Sequence, residues 1–133
     1  GERLVMSDGS DRLTFRATDD FRLLGSVHVT LEGQPLFRLN ELECVDGVVW
    51  ANVWTRDDIV RIDPGSGAVT AVVDASGLRR GPRRARRDDV LNGIAAVPGS
   101  GRFFLTGKLW DRVYEVELVP AGGDGDAAPP PRR

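Results

Sequence analysis

Two stretches of this sequence, LNELECVDGVVWANVW at Leu39–Trp54 and LNGIAAVPGSGRFFLTGK at Leu91–Lys108, repeat one pattern and decide the fold. Each stretch opens with a Leu-Asn pair, passes a turn and ends in a second alternating segment. The Leu-Asn pairs lie 52 residues apart, whereas Trp54 and Lys108 lie 54 apart, and a two-residue insertion in the turn Pro98–Gly101 accounts for the difference. Repeats of roughly 40–50 residues, each of about four strands, are typical of β-propeller blades.

Short alternating segments separated by turn residues continue the pattern on both sides of the repeat. RLVMSDG at Arg3–Gly9 aligns with the second segment of each repeat, and no amphipathic helical window is found. The predicted strands are Arg3–Ser7, Arg12–Arg16, Leu23–Thr30, Val48–Trp54, Ile59–Ile62, Ala68–Val73, Arg102–Thr106 and Arg112–Val119. A single-domain sandwich would have similar strands but would not explain the repeat. We therefore predict an all-β partial β-propeller of about three blades at residues 1–119, followed by a disordered tail at residues 120–133.

Composition narrows the class of protein. The chain has 133 residues, of which 41% are hydrophobic and 29% charged, and it contains no apolar run of the roughly 20 residues that a membrane-spanning helix needs. A net charge of −2 disfavours nucleic acid as the main partner. Six arginines within Arg79–Arg87 are interpreted as a solvated loop. The lone cysteine, Cys44, excludes an internal disulfide and is predicted to be buried. Because the chain starts at Gly1 without Met, we expect a processed product or part of a longer protein.

A small set of residues could carry chemistry. Lys108 is the only lysine among 18 basic residues, and a lysine shifts its pKa on burial in a way that arginine does not. Trp54 occupies the equivalent place one repeat earlier, so both side chains are expected at one mouth of the propeller channel. Asn40 and Asn92 each begin an innermost strand, where an amide could bind a substrate or tie loops together. An ordinary surface lysine and a tryptophan that packs between blades remain the alternatives for the first two residues.

Other polar residues are weaker candidates. Glu41 and Glu43 alternate with apolar residues beside the channel, and salt bridging or solvation is the favoured interpretation of both. His28, the only histidine, lies between two valines on an outer-strand pattern and is predicted to be exposed. One histidine and one cysteine form neither a zinc site nor a nucleophilic triad.

Seven runs together resemble the plant and bacterial type of glutaminyl-peptide cyclotransferase, also called glutamine cyclotransferase. They occur in the family's order across nearly all of residues 1–118, and they are Met6–Ser10, Leu39–Glu43, Ala51–Trp54, Ile59–Pro64, Asp74–Leu78, Leu91–Ala95 and Thr106–Trp110. The resemblance implies a five-bladed propeller, which agrees with the repeat. Family members are longer, and this chain resembles their C-terminal half.

The resemblance also implies an activity, the cyclisation of an N-terminal glutamine to pyroglutamate with release of ammonia. Asn40, Trp54 and Lys108 match positions that line the family's active-site channel. Lys108 would polarise the amide or stabilise the oxyanion, Asn40 would orient the substrate, and Trp54 would form a wall of the pocket. The family's proton-shuttling glutamate lies in the N-terminal half, so this chain alone is expected to be incomplete. The long basic run Arg79–Arg87 departs from the family pattern.

Two other function classes remain as alternatives. The first is a non-catalytic propeller segment that binds peptide or protein, and the second is a lactonase-like, metal-dependent propeller using Asn40, Asn92 and Glu41. For the favoured function the expected partner is a peptide or protein with an N-terminal glutamine, and no cofactor and no metal are predicted. The resemblance implies a secreted or periplasmic location. Open blade faces are expected to be covered by further blades or by self-association.

Overall fold

The computed structural model describes residues 2–78 and 89–121, which form an all-β structure. Its twelve strands are β1 (Arg3–Ser7), β2 (Arg12–Ala17), β3 (Leu23–His28), β4 (Thr30–Leu31), β5 (Gln34–Pro35), β6 (Leu39–Val45), β7 (Val48–Val53), β8 (Asp58–Ile62), β9 (Val69–Asp74), β10 (Leu91–Val97), β11 (Arg102–Gly107) and β12 (Val113–Glu117). A short 3-10 helix spans Ser76–Leu78. In this described part no helix is long and apolar enough to cross a membrane.

The strands form three successive antiparallel sheets in simple up-and-down order. The first sheet is β1-β2-β3, the second is β6-β7-β8-β9 and the third is β10-β11-β12, while β4 and β5 form a separate hairpin. The innermost strands β6 and β10 contact each other, and β1 contacts β6. The predicted partial propeller is therefore confirmed, with each sheet forming a blade or most of one.

The register of the two inner hairpins explains the offset between the repeats. Val45 pairs with Val48 across the two-residue turn Asp46-Gly47, whereas Val97 pairs with Arg102 across the four residues of Pro98–Gly101. Asp46 and Gly47 both have positive φ, 51° and 79°, as the tight two-residue hairpin turn requires. The two extra residues thus lie in the hairpin turn Pro98–Gly101, as the comparison of the two repeats predicts.

Alternation along the second sheet supplies a core to each of its two faces. Val49, Ala51 and Val53 point toward the first sheet and join a buried cluster with Leu13, Val29, Leu36, Leu39, Val60 and Ile62. Trp50 and Ile59 point the other way, toward the third sheet, and pack with Ala75, Leu91, Phe103 and Leu105. Trp50 meets Phe103 edge-on with ring centroids 5.2 Å apart. Because strand side chains alternate between faces, one sheet can bury both sides only between two neighbours, as a blade does.

The predicted strand Leu23–Thr30 is in fact interrupted at Val29. The Val29 N–H donates to Asp11 O, after which the chain leaves the first sheet and Thr30 bridges in parallel to Ala68 of the second blade. Gly67 makes this crossing possible, because a Cβ there would lie 2.0 Å from His28 O and its φ is +77°. The interruption therefore links the first blade to the second.

Two further sequence predictions meet different outcomes. His28 is exposed, as predicted, and its Nδ1 lies 3.0 Å from Asp11 Oδ2. The prediction that Cys44 is buried is wrong, since its side chain is exposed and lines an open depression with Arg3 and Val5. Partial desolvation, and secondarily the charge of Glu43, raises the pKa of the Cys44 thiol. The alternating pattern correctly predicts the strand that contains Cys44, but it does not show how much of that strand a neighbouring sheet covers. The segment Arg79–Arg87 and most of the 120–133 tail lie outside the described residues.

Candidate functional site

A pocket of about 620 Å³ opens where the innermost strands begin. It draws on all three sheets, through the turns that follow β1, β7 and β11 and the first residues of β6 and β10. Its lining residues are Ser7, Asp8, Gly9, Arg38, Leu39, Asn40, Trp54, Asn92 and Lys108. The structure thus places Asn40, Trp54 and Lys108, which sequence analysis singles out, around one cavity together with Asn92.

Trp54 and Lys108 occupy the same position in two equivalent tight turns. One turn is closed by a hydrogen bond from Arg56 N to Val53 O, and the other by a bond from Trp110 N to Gly107 O. In each turn the second of the two central residues, Thr55 or Leu109, has a positive φ. The backbone therefore presents an indole in one blade and an amine in the next in the same way.

The backbone N–H of each of these residues is tied to the segment that begins the innermost strand. Trp54 N donates to Arg38 O and Lys108 N donates to Val90 O, both at 2.8 Å. The Lys108 side chain is exposed, and within the described residues no hydrogen-bond or ion-pair partner is found for Nζ. Lys108 therefore presents a cationic donor, free of protein partners in that part of the chain, to the pocket.

The two asparagines are joined to each other directly. Asn40 Nδ2 donates to Asn92 Oδ1 at 2.5 Å, across the boundary between two blades. Each lies in a β-bulge, because the register shifts between Leu39 and Leu42 and again between Leu91 and Ile94. A bulge adds a residue and re-aims side chains away from the ladder. This bond does not use Asn40 Oδ1 or Asn92 Nδ2.

We expect the Asn40–Asn92 hydrogen bond to appear as a coupling between the two positions. Asn40→Ala and Asn92→Ala should each destabilise the fold, and the double variant should cost less than their sum by about 1 kcal/mol because it removes both partners. Urea unfolding of the four proteins measures this coupling energy. Additivity within about 0.4 kcal/mol would show that the pair contributes nothing as a pair.

Adjacent blades are also joined by a polar side chain at equivalent positions of β1 and β7. Ser7 Oγ donates to Asn40 O at 3.1 Å, and Asn52 Oδ1 accepts the Gly93 N–H at 3.1 Å. Asn52 is fully buried, and its Nδ2 has no partner among the described residues. In the sequence, Asn52 stands out only as part of the run Ala51–Trp54. The signal for its role is a polar residue in the middle of a strand whose neighbours are all apolar.

Asp8 is the carboxylate that lines the pocket in the described part of the chain. Its Oδ1 accepts hydrogen bonds from Ser10 Oγ at 2.5 Å and from Ser10 N at 2.9 Å. These bonds, the side-chain bond most of all, hold the pKa of Asp8 below its usual range. A carboxylate kept ionised in this way is a poor proton donor near neutral pH.

We expect Ser10→Ala to raise the pKa of Asp8 toward its usual range, because the largest cause of the shift is removed while the backbone bond remains. A depressed folded-state pKa stabilises the fold above the unfolded pKa, and this contribution is lost as pH falls through the folded pKa. The variant should therefore have less of this stabilisation to lose on acidification. Carbon-13 NMR titration of the Asp8 carboxyl measures the change. Ser100→Ala, in a turn where Ser100 Oγ bonds to Val97 O, is the matched control and should leave the Asp8 titration unchanged.

The remaining candidates lie away from the pocket. Glu41 and Glu43 do not line it, and Glu41 is exposed. Within residues 2–78 and 89–121, no group of three or more His, Cys, Asp or Glu side chains is arranged to hold a metal ion. The structure therefore brings together the amide, indole and amine groups but leaves both glutamates outside.

Comparison with known proteins gives one consistent result. Residues 1–118 match the family described as glutamine cyclotransferase. The chain is 38% identical over 123 residues to a glutaminyl-peptide cyclotransferase of Arabidopsis thaliana, covering 91% of this chain and 38% of the plant protein. The crystal structure of Myxococcus xanthus glutaminyl cyclase superposes with a TM-score of 0.82 at 50% identity, covering 86% of this chain and 50% of that one. The chain thus spans half or less of the length of these relatives.

Proposed function

The chain belongs to the glutamine cyclotransferase family, and on that premise we propose that its pocket forms part of a glutaminyl cyclase site. The reaction converts the N-terminal glutamine of a peptide or protein to pyroglutamate, an intramolecular acyl transfer. The observation that carries the proposal is that Lys108, Trp54 and the Asn40–Asn92 pair surround one cavity at the propeller mouth.

The chemistry requires three things of the site: a glutamine held so that its amine reaches its amide carbon, a donor for the oxyanion, and a proton for the departing NH₂. The neutral α-amine attacks the side-chain amide carbon, and the new C–N bond creates a tetrahedral oxyanion. The oxyanion needs a hydrogen-bond donor, and a proton shuttle must take the proton that the attacking amine loses and give one to the departing NH₂, so that ammonia leaves as the carbonyl re-forms. Because amine and amide belong to one residue, the site must mainly fold the glutamine side chain back onto its own amine.

The described residues fit the first two of these needs. Lys108 is assigned to the amide oxygen, since its ammonium is a compact donor with no protein partner among the described residues. Asn40 and Asn92 are assigned to orienting the substrate amide through the polar atoms that their mutual bond leaves unused. Trp54, 40% exposed at the pocket mouth, supplies an apolar wall for the glutamine methylenes.

The proton for ammonia must come from a different group. Asp8 is unsuited because its hydrogen bonds to Ser10 favour the ionised form. We therefore place the proton shuttle in the part of the relatives' length that this chain does not cover. That assignment makes the whole protein, rather than this chain, the unit of activity.

The direct test incubates the whole protein with a Gln-initiated peptide and follows pyroglutamate by mass spectrometry and ammonia by a coupled assay. One ammonia per pyroglutamate is expected, and the same peptide with N-terminal asparagine is the matched control for non-specific deamidation. Peptide binding without ammonia release would instead support a non-catalytic binding propeller. Loss of turnover on chelation would indicate a metal-dependent mechanism.

The open blade faces lead to a proposal about partners. Leu4 and Met6 of β1, and Phe104 and Val113 of the third sheet, are 37–64% exposed on faces turned away from the two cores. Because the relatives are longer, we propose that further blades of the same protein cover both faces. Limited proteolysis of the whole protein should then spare β1 and β12, whereas a dimer by light scattering would indicate that a second copy covers them. A secreted or periplasmic location is proposed by family likeness alone.

A further inference from the structure

Trp110 lies directly behind the turn that carries Lys108, in surroundings that differ from those of its counterpart one blade earlier. The equivalent residue in the Trp54 turn is Arg56, a half-exposed side chain that ion-pairs with Asp58. Trp110 instead packs into the apolar cluster between the second and third sheets, and its ring meets Tyr114 edge-on with centroids 6.1 Å apart. The lysine turn therefore has an aromatic support that the tryptophan turn lacks.

Gly107 leaves room for the ring of Trp110. A Cβ at Gly107 would lie 2.1 Å from Cε2 of Trp110, so that only glycine lets the indole lie against the backbone of the turn. The backbone N–H of Trp110 donates to Gly107 O at 3.1 Å, and this hydrogen bond closes the turn. The indole thus covers the backbone immediately before Lys108.

The indole also ties the turn to the segment that begins the innermost strand. Trp110 Nε1 donates to Asp89 Oδ1 at 2.8 Å, and the next residue, Val90, accepts the Lys108 N–H at 2.8 Å. Both ends of the turn are therefore fastened to residues 89 and 90. Leu109, between these ends, has φ +66°, a conformation that a leucine keeps only where its surroundings enforce it.

We propose that Trp110 is a positioning residue that fixes Lys108 in the site through its contact with Gly107 and its hydrogen bond to Asp89. Its relevance to turnover rests on the proposed cyclase function, whereas its effect on the turn does not. Misplacement of a catalytic group by about 1 Å can cost roughly a hundredfold in rate. Replacing Trp110 by phenylalanine removes the hydrogen bond to Asp89 but keeps an aromatic ring beside Gly107, so the expected loss of rate is smaller than about a hundredfold.

The test is Trp110→Phe in the whole protein, with Trp50→Phe as the matched control because Trp50 packs in the same cluster away from the pocket. We expect kcat to fall about tenfold in Trp110→Phe with KM changed less than about twofold, since Lys108 is assigned to the transition state. NMR hydrogen exchange at the Lys108 amide should accelerate roughly tenfold as its bond to Val90 loosens. Trp50→Phe should change neither quantity, although both variants lose packing.

A second pair of variants keeps the indole. Asp89→Asn retains an oxygen acceptor and should keep both kcat and Lys108 exchange near wild type, whereas Asp89→Ala should reproduce Trp110→Phe. Equal behaviour of Trp110→Phe and Trp50→Phe in both measurements would overturn the proposal. If the wild-type protein forms no pyroglutamate, the cyclase function fails, and the Lys108 exchange rates alone decide whether Trp110 positions the turn.

Discussion

On the proposed cyclase function, Lys108→Ala in the whole protein is expected to lower kcat for pyroglutamate formation by about 10²–10³-fold, the usual effect of removing one oxyanion donor. The amine stands at the pocket without a protein partner among the described residues, so no other described side chain relies on it. Stability should therefore be nearly unchanged while turnover collapses. Assays quenched at successive times and read by mass spectrometry measure kcat, and thermal unfolding measures stability.

Two further variants sharpen this prediction. Lys108→Arg keeps the charge, but its planar guanidinium has different donor geometry, so only partial recovery is expected. Leu109→Ala truncates the adjacent side chain of the same turn, which is 63% exposed, and should leave kcat within about threefold of wild type. Full activity in Lys108→Ala would remove Lys108 from the mechanism and would leave the asparagine pair as the principal polar feature of the pocket.

Leu39→Ala is expected to lower the free energy of unfolding by about 2–5 kcal/mol, the range for deleting a fully buried leucine. Leu39 has no exposed surface, pairs with Val53 and belongs to the core between the first and second sheets. Because it directly precedes Asn40, the cavity would open beneath the pocket. Denaturant unfolding of the whole protein measures the loss.

The matched control deletes the same atoms from a solvent-facing position. Leu23→Ala removes a side chain that is 58% exposed on the outer strand β3 and should cost less than about 1 kcal/mol. Equal losses in the two variants would mean that the inter-blade core does not hold the strands in the way the structure indicates.

The repeat made the fold and the equivalence of Trp54 and Lys108 accessible from sequence. Both follow from spacing, because a residue at a fixed place in a repeated hairpin occupies a fixed place in each blade. The offset of two residues is visible as a turn of four residues in place of two. Strand positions were predictable to within a few residues, since alternation and turn residues mark them.

Features that depend on contact between blades were not accessible in this way. The bulges at Leu39 and Leu91 leave no mark in the alternation, yet they turn Asn40 toward Asn92. The exposure of Cys44 depends on how far a neighbouring sheet extends. The contact between Trp110 and Gly107 depends on the shape of a turn, which composition does not encode. In each case the position or exposure of the side chain depends on a contact with another part of the fold, which the local sequence pattern does not show.

The paired turns of Trp54 and Lys108 also bear on the history of the molecule. Both close with the same backbone hydrogen bond, and both are tethered at 2.8 Å to the residue just before the inner strand of their own blade, although one presents an indole and the other an amine. A duplicated hairpin could therefore change its side chain without rebuilding its backbone. Two copies of one hairpin that face a common pocket thus carry different side chains on the same backbone.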